Sequence, residues 1–305
     1  MNRIILLLAI TTMCFSVGAA EKTKKKRAPK VPERVLKLYE PAEYKGMPYR
    51  LMKPAGYDPA KSYPLILSLH GAGGKGDDNL NSLKVWTEYL AEDPLRQKHP
   101  CFVLVPQMIK GWRISGEQNI PDQATLDALD PSWNKWKARF AKGPKTVSDG
   151  ALSLSFELID KLSAEYKIDA KRVYVLGHSM GGFGSWTAIW SEPDRFAAAI
   201  PCAGGLPPWY DYARFKNVPI WAFHSADDKV VSVEFSRAIF QALEKVGGNM
   251  KYTELNGVGH GAQDPAFSYQ GDEKSGFKTQ RASDRCDSAE NVWDWLFRQS
   301  KGNES

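Results

Sequence analysis

Short, almost uninterrupted apolar runs recur along the chain, with helical stretches between them. Residues 64–70 (PLILSLH), 102–105, 173–176, 197–200 and 219–223 lack the polar alternation of a half-exposed strand. Each must therefore be covered on both faces. Residues 80–90, 147–166, 182–190, 233–246 and 289–298 carry helical spacing. Strand alternating with helix predicts an α/β domain with a mainly parallel central sheet and helices on both faces. Residues 35–39 and 47–52 alternate like further strands about a turn at Tyr44-Lys45-Gly46, and residues 250–255 are also strand-like. Such sheets bind ligands beyond the carboxyl ends of their strands. With 305 residues and 43% hydrophobic content there is enough apolar surface for a full core, which excludes a disordered chain.

The N-terminus carries an address. Arg3 precedes an apolar stretch at 4–10, extended weakly to Phe15, and Val17-Gly18-Ala19 and Ala20 offer small residues for cleavage. Residues 1–20 are expected to be a secretory signal peptide, too short to span a bilayer, so the mature protein is expected to be secreted or periplasmic, without membrane insertion. Residues 21–33 form a basic linker and 34–301 one catalytic domain. Much of the net charge of +6 sits at 21–27. That run reads as a solvated tail, not a nucleic-acid site. Without Cys14, Cys101, Cys202 and Cys286 remain. This odd number leaves at least one unpaired in a monomer, and a Cys202–Cys286 bridge stays open. No CxxC or His/Cys cluster suggests a metal, and no cofactor is expected.

Residues 173–186 read VYVLGHSMGGFGSW. A strand ends at Gly177-His178-Ser179-Met180-Gly181, a G-x-S-x-G pattern, and a helix follows. That is a nucleophile elbow, a turn so tight that side chains at the flanking glycines would collide with backbone. It lifts Ser179 above the sheet at a helix N-terminus, with the Met180 N–H aimed at the reacting centre. His178, the variable elbow residue, is expected to point away. A serine hydroxyl needs a base. Of the five histidines, His70 and His99 precede the elbow, His178 lies in it and His224 comes before the acid candidates. His260, in GVGHG, is left as the general base. After the strand at 219–223, Asp227 or Asp228 can orient its imidazole. Leu69-His70-Gly71-Ala72-Gly73-Gly74 follows the first central strand and offers the Ala72 N–H as second oxyanion donor. It lacks the Gly-Lys-Ser/Thr ending of a phosphate loop.

The blocks YPLILSLHGAGGKGDDN, CFVLVPQ, VYVLGHSMGGFGSW, VPIWAFHSADDKVVSVEFSR and YTELNGVGH span about residues 60–260. In that order they resemble the α/β-hydrolase superfamily. More narrowly, they resemble bacterial secreted esterases of the predicted-peptidase, phospholipase/carboxylesterase and dienelactone-hydrolase-like group, related to feruloyl and acetylxylan esterases. The group's H-G-x-x-D-x-x-V-P motif implies Asp228 as the acid, four residues after His224. Ser225 and Ser232 depart from its Gly and Pro. The resemblance implies a serine esterase acting through an acyl-enzyme on small or carbohydrate-linked acyl groups. Two alternatives share the fold: a prolyl-oligopeptidase-like serine peptidase, and a non-catalytic polysaccharide-binding protein. The inserts at 109–145 and 261–288 lie near the carboxyl edge of the sheet, and Trp112 and Trp209 are the candidate substrate contacts. The short connection after Ile200 leaves no room for a large cap domain.

Overall fold

The computed structural model describes residues 31–142, 144–271 and 276–302. The expected signal peptide (1–20) and most of the basic linker (21–33) lie outside the described residues. In chain order the elements are α1 (Glu33–Leu38), β1 (Tyr39–Tyr44), β2 (Met47–Met52), β3 (Tyr63–Leu69), α2 (Val85–Ala91), α3 (Asp93–Lys98), β4 (Phe102–Pro106) and β5 (Gly116–Glu117). Then come α4 (Gln123–Asp127), α5 (Asn134–Phe140), β6 (Thr146–Val147), α6 (Ala151–Glu165), β7 (Ile168–His178), α7 (Met180–Ser191), β8 (Ala198–Cys202) and β9 (Ile220–Ser225). The chain continues through α8 (Glu234–Lys245), β10 (Met250–Leu255), α9 (Gln263–Phe267), β11 (Lys278–Arg281) and α10 (Val292–Arg298).

Among the described residues the strands form one nine-stranded sheet, ordered β1-β2-β4-β3-β7-β8-β9-β10-β11, and the two-stranded ladder β5-β6. The run from β4 to β10 is parallel throughout. β1, β2 and β11 add antiparallel edges. This is the expected α/β architecture. Successive residues of β3 enter different cores, as the period of two requires. Leu65, Leu67 and Leu69 pack with Phe156 of α6, Trp186 of α7 and Ile239 of α8. Ile66 packs on the other face with Trp86 of α2 and Trp295 of α10. Burial on both sides is why these strands read as continuous apolar runs. No helix among the described residues is long and apolar enough to cross a membrane.

Two expectations need correction. Residues 35–38 are helical, not a strand. Within α1 only Val35 is fully buried, while Leu36 and Leu38 pack partly against the same cluster, so the apparent alternation of VLKLY was misleading. The strand begins at Tyr39 instead and turns at Lys45 (φ 48°) and Gly46 (φ 79°), the pair of positive φ values that a tight two-residue hairpin turn demands. Second, the polar segment 261–288 contains α9 and the edge strand β11, whose KTQR sequence is too short and polar to stand out. Cys101, Cys202 and Cys286 are all buried and free, so no bridge forms between Cys202 and Cys286.

Candidate active site

β7 is the middle strand of the sheet, and its carboxyl end carries the elbow. The sharpness of the turn is measurable. A Cβ on Gly181 would lie 1.9 Å from the carbonyl oxygen of Leu69, and one on Gly177 would lie 2.5 Å from the same oxygen. Only glycine allows β3 to end this close to the elbow. Ser179 itself has φ 58° and ψ −118°, a conformation that L residues other than glycine rarely adopt. Its N–H donates to the Cys202 carbonyl (2.9 Å), and its carbonyl accepts from Phe183 N–H (2.9 Å). The backbone is thus fixed from β8 and from α7, and the hydroxyl is left at the head of the helix.

The structure brings Ser179, His260 and Asp228 into one hydrogen-bonded chain. His260 Nε2 lies 2.9 Å from Ser179 Oγ, and His260 Nδ1 lies 2.8 Å from Asp228 Oδ2. The carboxylate can only accept at Nδ1, so Nδ1 carries the proton and Nε2 is free to accept from the serine. Asp228 has a fully buried side chain. Its Oδ1 accepts from the N–H groups of Val230 (2.8 Å) and Val231 (3.0 Å). Burial pushes this carboxyl up, but hydrogen bonds from His224, His260, Val231 and Val230 outweigh it and hold the group well below the usual carboxylate range. It therefore faces His260 as an anion at any pH near neutrality.

His224 does not reach the serine. It is buried. Nε2 lies 3.1 Å from the Val231 carbonyl and 3.4 Å from Asp228, and Nδ1 lies 2.8 Å from Ser236 Oγ. It therefore donates from Nε2 and accepts the Ser236 hydroxyl at Nδ1, bracing the acid loop from below. Asp227, the other acid candidate, turns elsewhere. Its Oδ1 accepts from Ser225 Oγ and from the N–H groups of Gly257 (3.2 Å) and Gly259 (3.1 Å).

On the other side of the elbow, Gly71 sits against Ser179. A Cβ there would lie 3.2 Å from the His178 carbonyl oxygen and 3.5 Å from Ser179 Cβ. The next N–H is that of exposed Ala72. Met180 is the first residue of α7, so its N–H has no partner within the helix. Buried His70 supports this loop by donating from Nδ1 to the Gly71 carbonyl (2.8 Å) and accepting Met108 N–H at Nε2 (3.2 Å). Gln107, fully buried at the end of β4, holds the loop's far side. Its amide nitrogen donates to the Gly74 carbonyl (3.0 Å) and to Asp78 Oδ1 (2.8 Å), and its oxygen accepts from Asn79 N–H (2.5 Å). Gln107 closes the CFVLVPQ block, but nothing in that text marks it as a support.

Trp112 is not an accessible platform for substrate. Only 6% of it is exposed. Its indole N–H donates to the His70 carbonyl (2.9 Å), its ring packs 4.9 Å from that of His70, and it belongs to the main core. Trp133 and Trp136 are buried too. They pack against Phe235, with centroids at 4.8 and 4.9 Å, and fasten the insert onto the start of α8. Trp209 is half-buried, with its N–H on the Asn119 carbonyl (3.2 Å), which joins the loop after β8 to the insert. His178 also departs from expectation. Its side chain does not point away. Nε2 lies 2.8 Å from the backbone carbonyl of His260, and the two rings stand 4.8 Å apart. Among the described residues no group of three or more His, Cys, Asp or Glu could hold a metal ion.

Residues 112–268 match the family model described as Phospholipase/Carboxylesterase. A bifunctional acetylxylan esterase/xylanase of Neocallimastix patriciarum is 35% identical over 79 residues, 26% of this chain and 12% of the relative. A probable feruloyl esterase C of Aspergillus terreus is 25% identical over 193 residues, 62% of this chain and 57% of the relative. The matches thus span from about an eighth to just over half of these relatives' own lengths. The crystal structure of a thermostable esterase superposes with a TM-score of 0.65 at 31% identity, over 88% of this chain and 64% of that one.

Proposed function

This chain belongs to the phospholipase/carboxylesterase family and has the α/β-hydrolase fold, and on that premise we propose that it is a serine esterase with Ser179, His260 and Asp228 as its catalytic triad. The observation that carries the proposal is the continuous path from Ser179 Oγ through both ring nitrogens of His260 to the buried Asp228, with links of 2.9 and 2.8 Å. Ser179 Oγ attacks the ester carbonyl as His260 Nε2 takes its proton. Asp228 stabilises the resulting imidazolium and fixes its orientation. The N–H groups of Ala72 and Met180 hold the oxyanion, which the N-terminal dipole of α7 also favours. His260 returns the proton to the departing alkoxide, and the acyl-enzyme forms. Water, deprotonated by the same imidazole, then releases the acid and restores Ser179.

The proposed substrates carry small or carbohydrate-linked acyl groups, acetyl or feruloyl in type. The His260 side chain is 25% exposed and Ser179 half-buried, so an ester on a polymer end or a small alcohol can approach directly. Trp209 is the remaining aromatic candidate for stacking on a sugar or aryl ring. Export by residues 1–20 would place the enzyme where such polymers occur. Hydrolysis of p-nitrophenyl acetate by the mature protein, with Ser179→Ala in parallel, tests the reading. Turnover by the wild type alone supports it and leads to acetylxylan and feruloyl esters. Equal turnover by both proteins removes Ser179 as the nucleophile and ends the proposal.

A further inference from the structure

The loop that carries His260 has little of its own to hold it. It runs from the end of β10 at Leu255 through Gly257 (φ 76°) and Gly259 (φ 53°) into one short 3-10 turn, Gly259–Gly261. Glycine in the left-handed region gives a loop conformational freedom that must be removed if a base is to be positioned. Two side chains supply restraint. Asp227 accepts the N–H groups of Gly257 and Gly259 across 30 and 32 residues of sequence. His178 donates to the carbonyl of His260 itself, 82 residues away. One is the residue before the acid and the other the residue before the nucleophile.

We infer that His178 and Asp227 form a clamp that positions the base: each catalytic neighbour of His260 is preceded by a residue that grips the His260 backbone loop. The inference rests on the triad proposed above and adds two positioning residues to it. Any displacement of the elbow or of the acid loop carries the grip along, so the three catalytic groups stay in register. Burial, and the nearby His260, push the His178 imidazole down to about 4. At neutral pH it is therefore an uncharged Nε2–H donor that adds no positive charge beside the base. Its other nitrogen faces Gly71, where a Cβ would lie 3.7 Å from Nδ1, so the same ring sits between the base loop and the oxyanion loop. The groups facing His260 are Ser179, Asp228 and His178, with His224 behind Asp228.

The test compares Asp227→Ala, His178→Leu and the double variant with wild type in the full mature chain. p-Nitrophenyl acetate kinetics against pH are measured together with amide hydrogen exchange of the segment 256–262. The clamp predicts faster exchange in that segment for each variant. It also predicts a fall in kcat of about 10- to 100-fold, the scale of an ångström-sized misplacement, with KM within about 3-fold. Asp227→Asn keeps the accepting oxygen and should restore exchange and rate relative to Asp227→Ala. Unchanged exchange at 256–262 overturns the clamp, as does a rise in KM at constant kcat. Should the wild type fail to hydrolyse the ester, the proposed function falls, and the exchange comparison alone decides the clamp.

Discussion

Replacing Asp228 by Asn tests the site's electrostatics with almost no change of shape. The structure dictates how the amide must sit. Oδ1 accepts two backbone N–H groups, from Val230 and Val231, so the amide oxygen has to occupy that position. The NH2 group is then forced to the place of Oδ2, 2.8 Å from His260 Nδ1 and 3.4 Å from His224 Nε2. A donor now faces a donor at His260. The ring responds by moving its proton to Nε2, leaving Nδ1 to accept from the amide. Nε2–H then points at Ser179 Oγ and cannot take its proton. Locking a triad histidine in the wrong tautomer costs about 10⁴-fold in kcat, roughly 5 kcal/mol of barrier. The assay is kcat and KM for p-nitrophenyl acetate at neutral pH, with labelling of Ser179 by a fluorophosphonate as a second readout. Both rates should collapse while KM changes little. An Asp228→Asn enzyme within tenfold of wild type would refute the tautomer reasoning and the assignment of Asp228.

Three further outcomes follow from the buried polar groups. Burial holds the His70 imidazole down to about 4, against its hydrogen bond to Gly71. Between about 6.5 and 4 the unfolded chain takes up a proton that the fold refuses, so this residue lowers stability by up to about 1.4 kcal/mol per pH unit as pH falls; urea titrations of wild type and His70→Gln across that window should show a shallower slope in the variant. Lys251 is buried with its ammonium 3.4 Å from the Trp221 ring centroid, and burial, then Arg281, push its pKa down to about 8. Stability should therefore rise as pH increases from about 8 toward 10.5, where the fold has released a proton that the unfolded chain retains, and Lys251→Met should abolish that rise in a thermal melt. Gln107→Leu leaves the Gly74 carbonyl and the Asn79 N–H without their partner, so it should cost about 1–3 kcal/mol of stability and reduce kcat more than it raises KM, because Gly74 ends the loop that presents Ala72.

Local chemistry explains what could be read from the sequence. β10 begins and ends where its apolar pattern does, and the buried strands betray themselves because both of their faces are covered. The elbow is legible because Gly177 and Gly181 are demanded by contacts within one turn and by a single neighbouring strand. The sequence was less informative wherever the decisive partner is distant. His178 has no neighbour in the text to suggest that it reaches the His260 backbone. Asp227 and Asp228 are adjacent and chemically identical. The resembled motif's offset from His224 favours Asp228, but nothing in the text shows that Asp227 reaches the N–H groups of Gly257 and Gly259. Trp112 has the composition of a sugar platform, yet the carbonyl of His70 lies within reach and draws it into the core. Residues 35–38 alternate by accident of composition, and their burial depends on distant partners such as Trp86 and Leu90 of α2.

The backbone of Ser179 has a further consequence. Its φ of 58° is a conformation that costs a non-glycine residue on the order of 1–3 kcal/mol, sustained by Cys202 on one side and Phe183 on the other. The folded protein is thus less stable than it would be with glycine at this position. Ser179→Gly should melt at a higher temperature than wild type while losing the proposed nucleophile. A search for thermostable variants that monitored only folding would be drawn toward that substitution, and toward a well-folded protein with no activity.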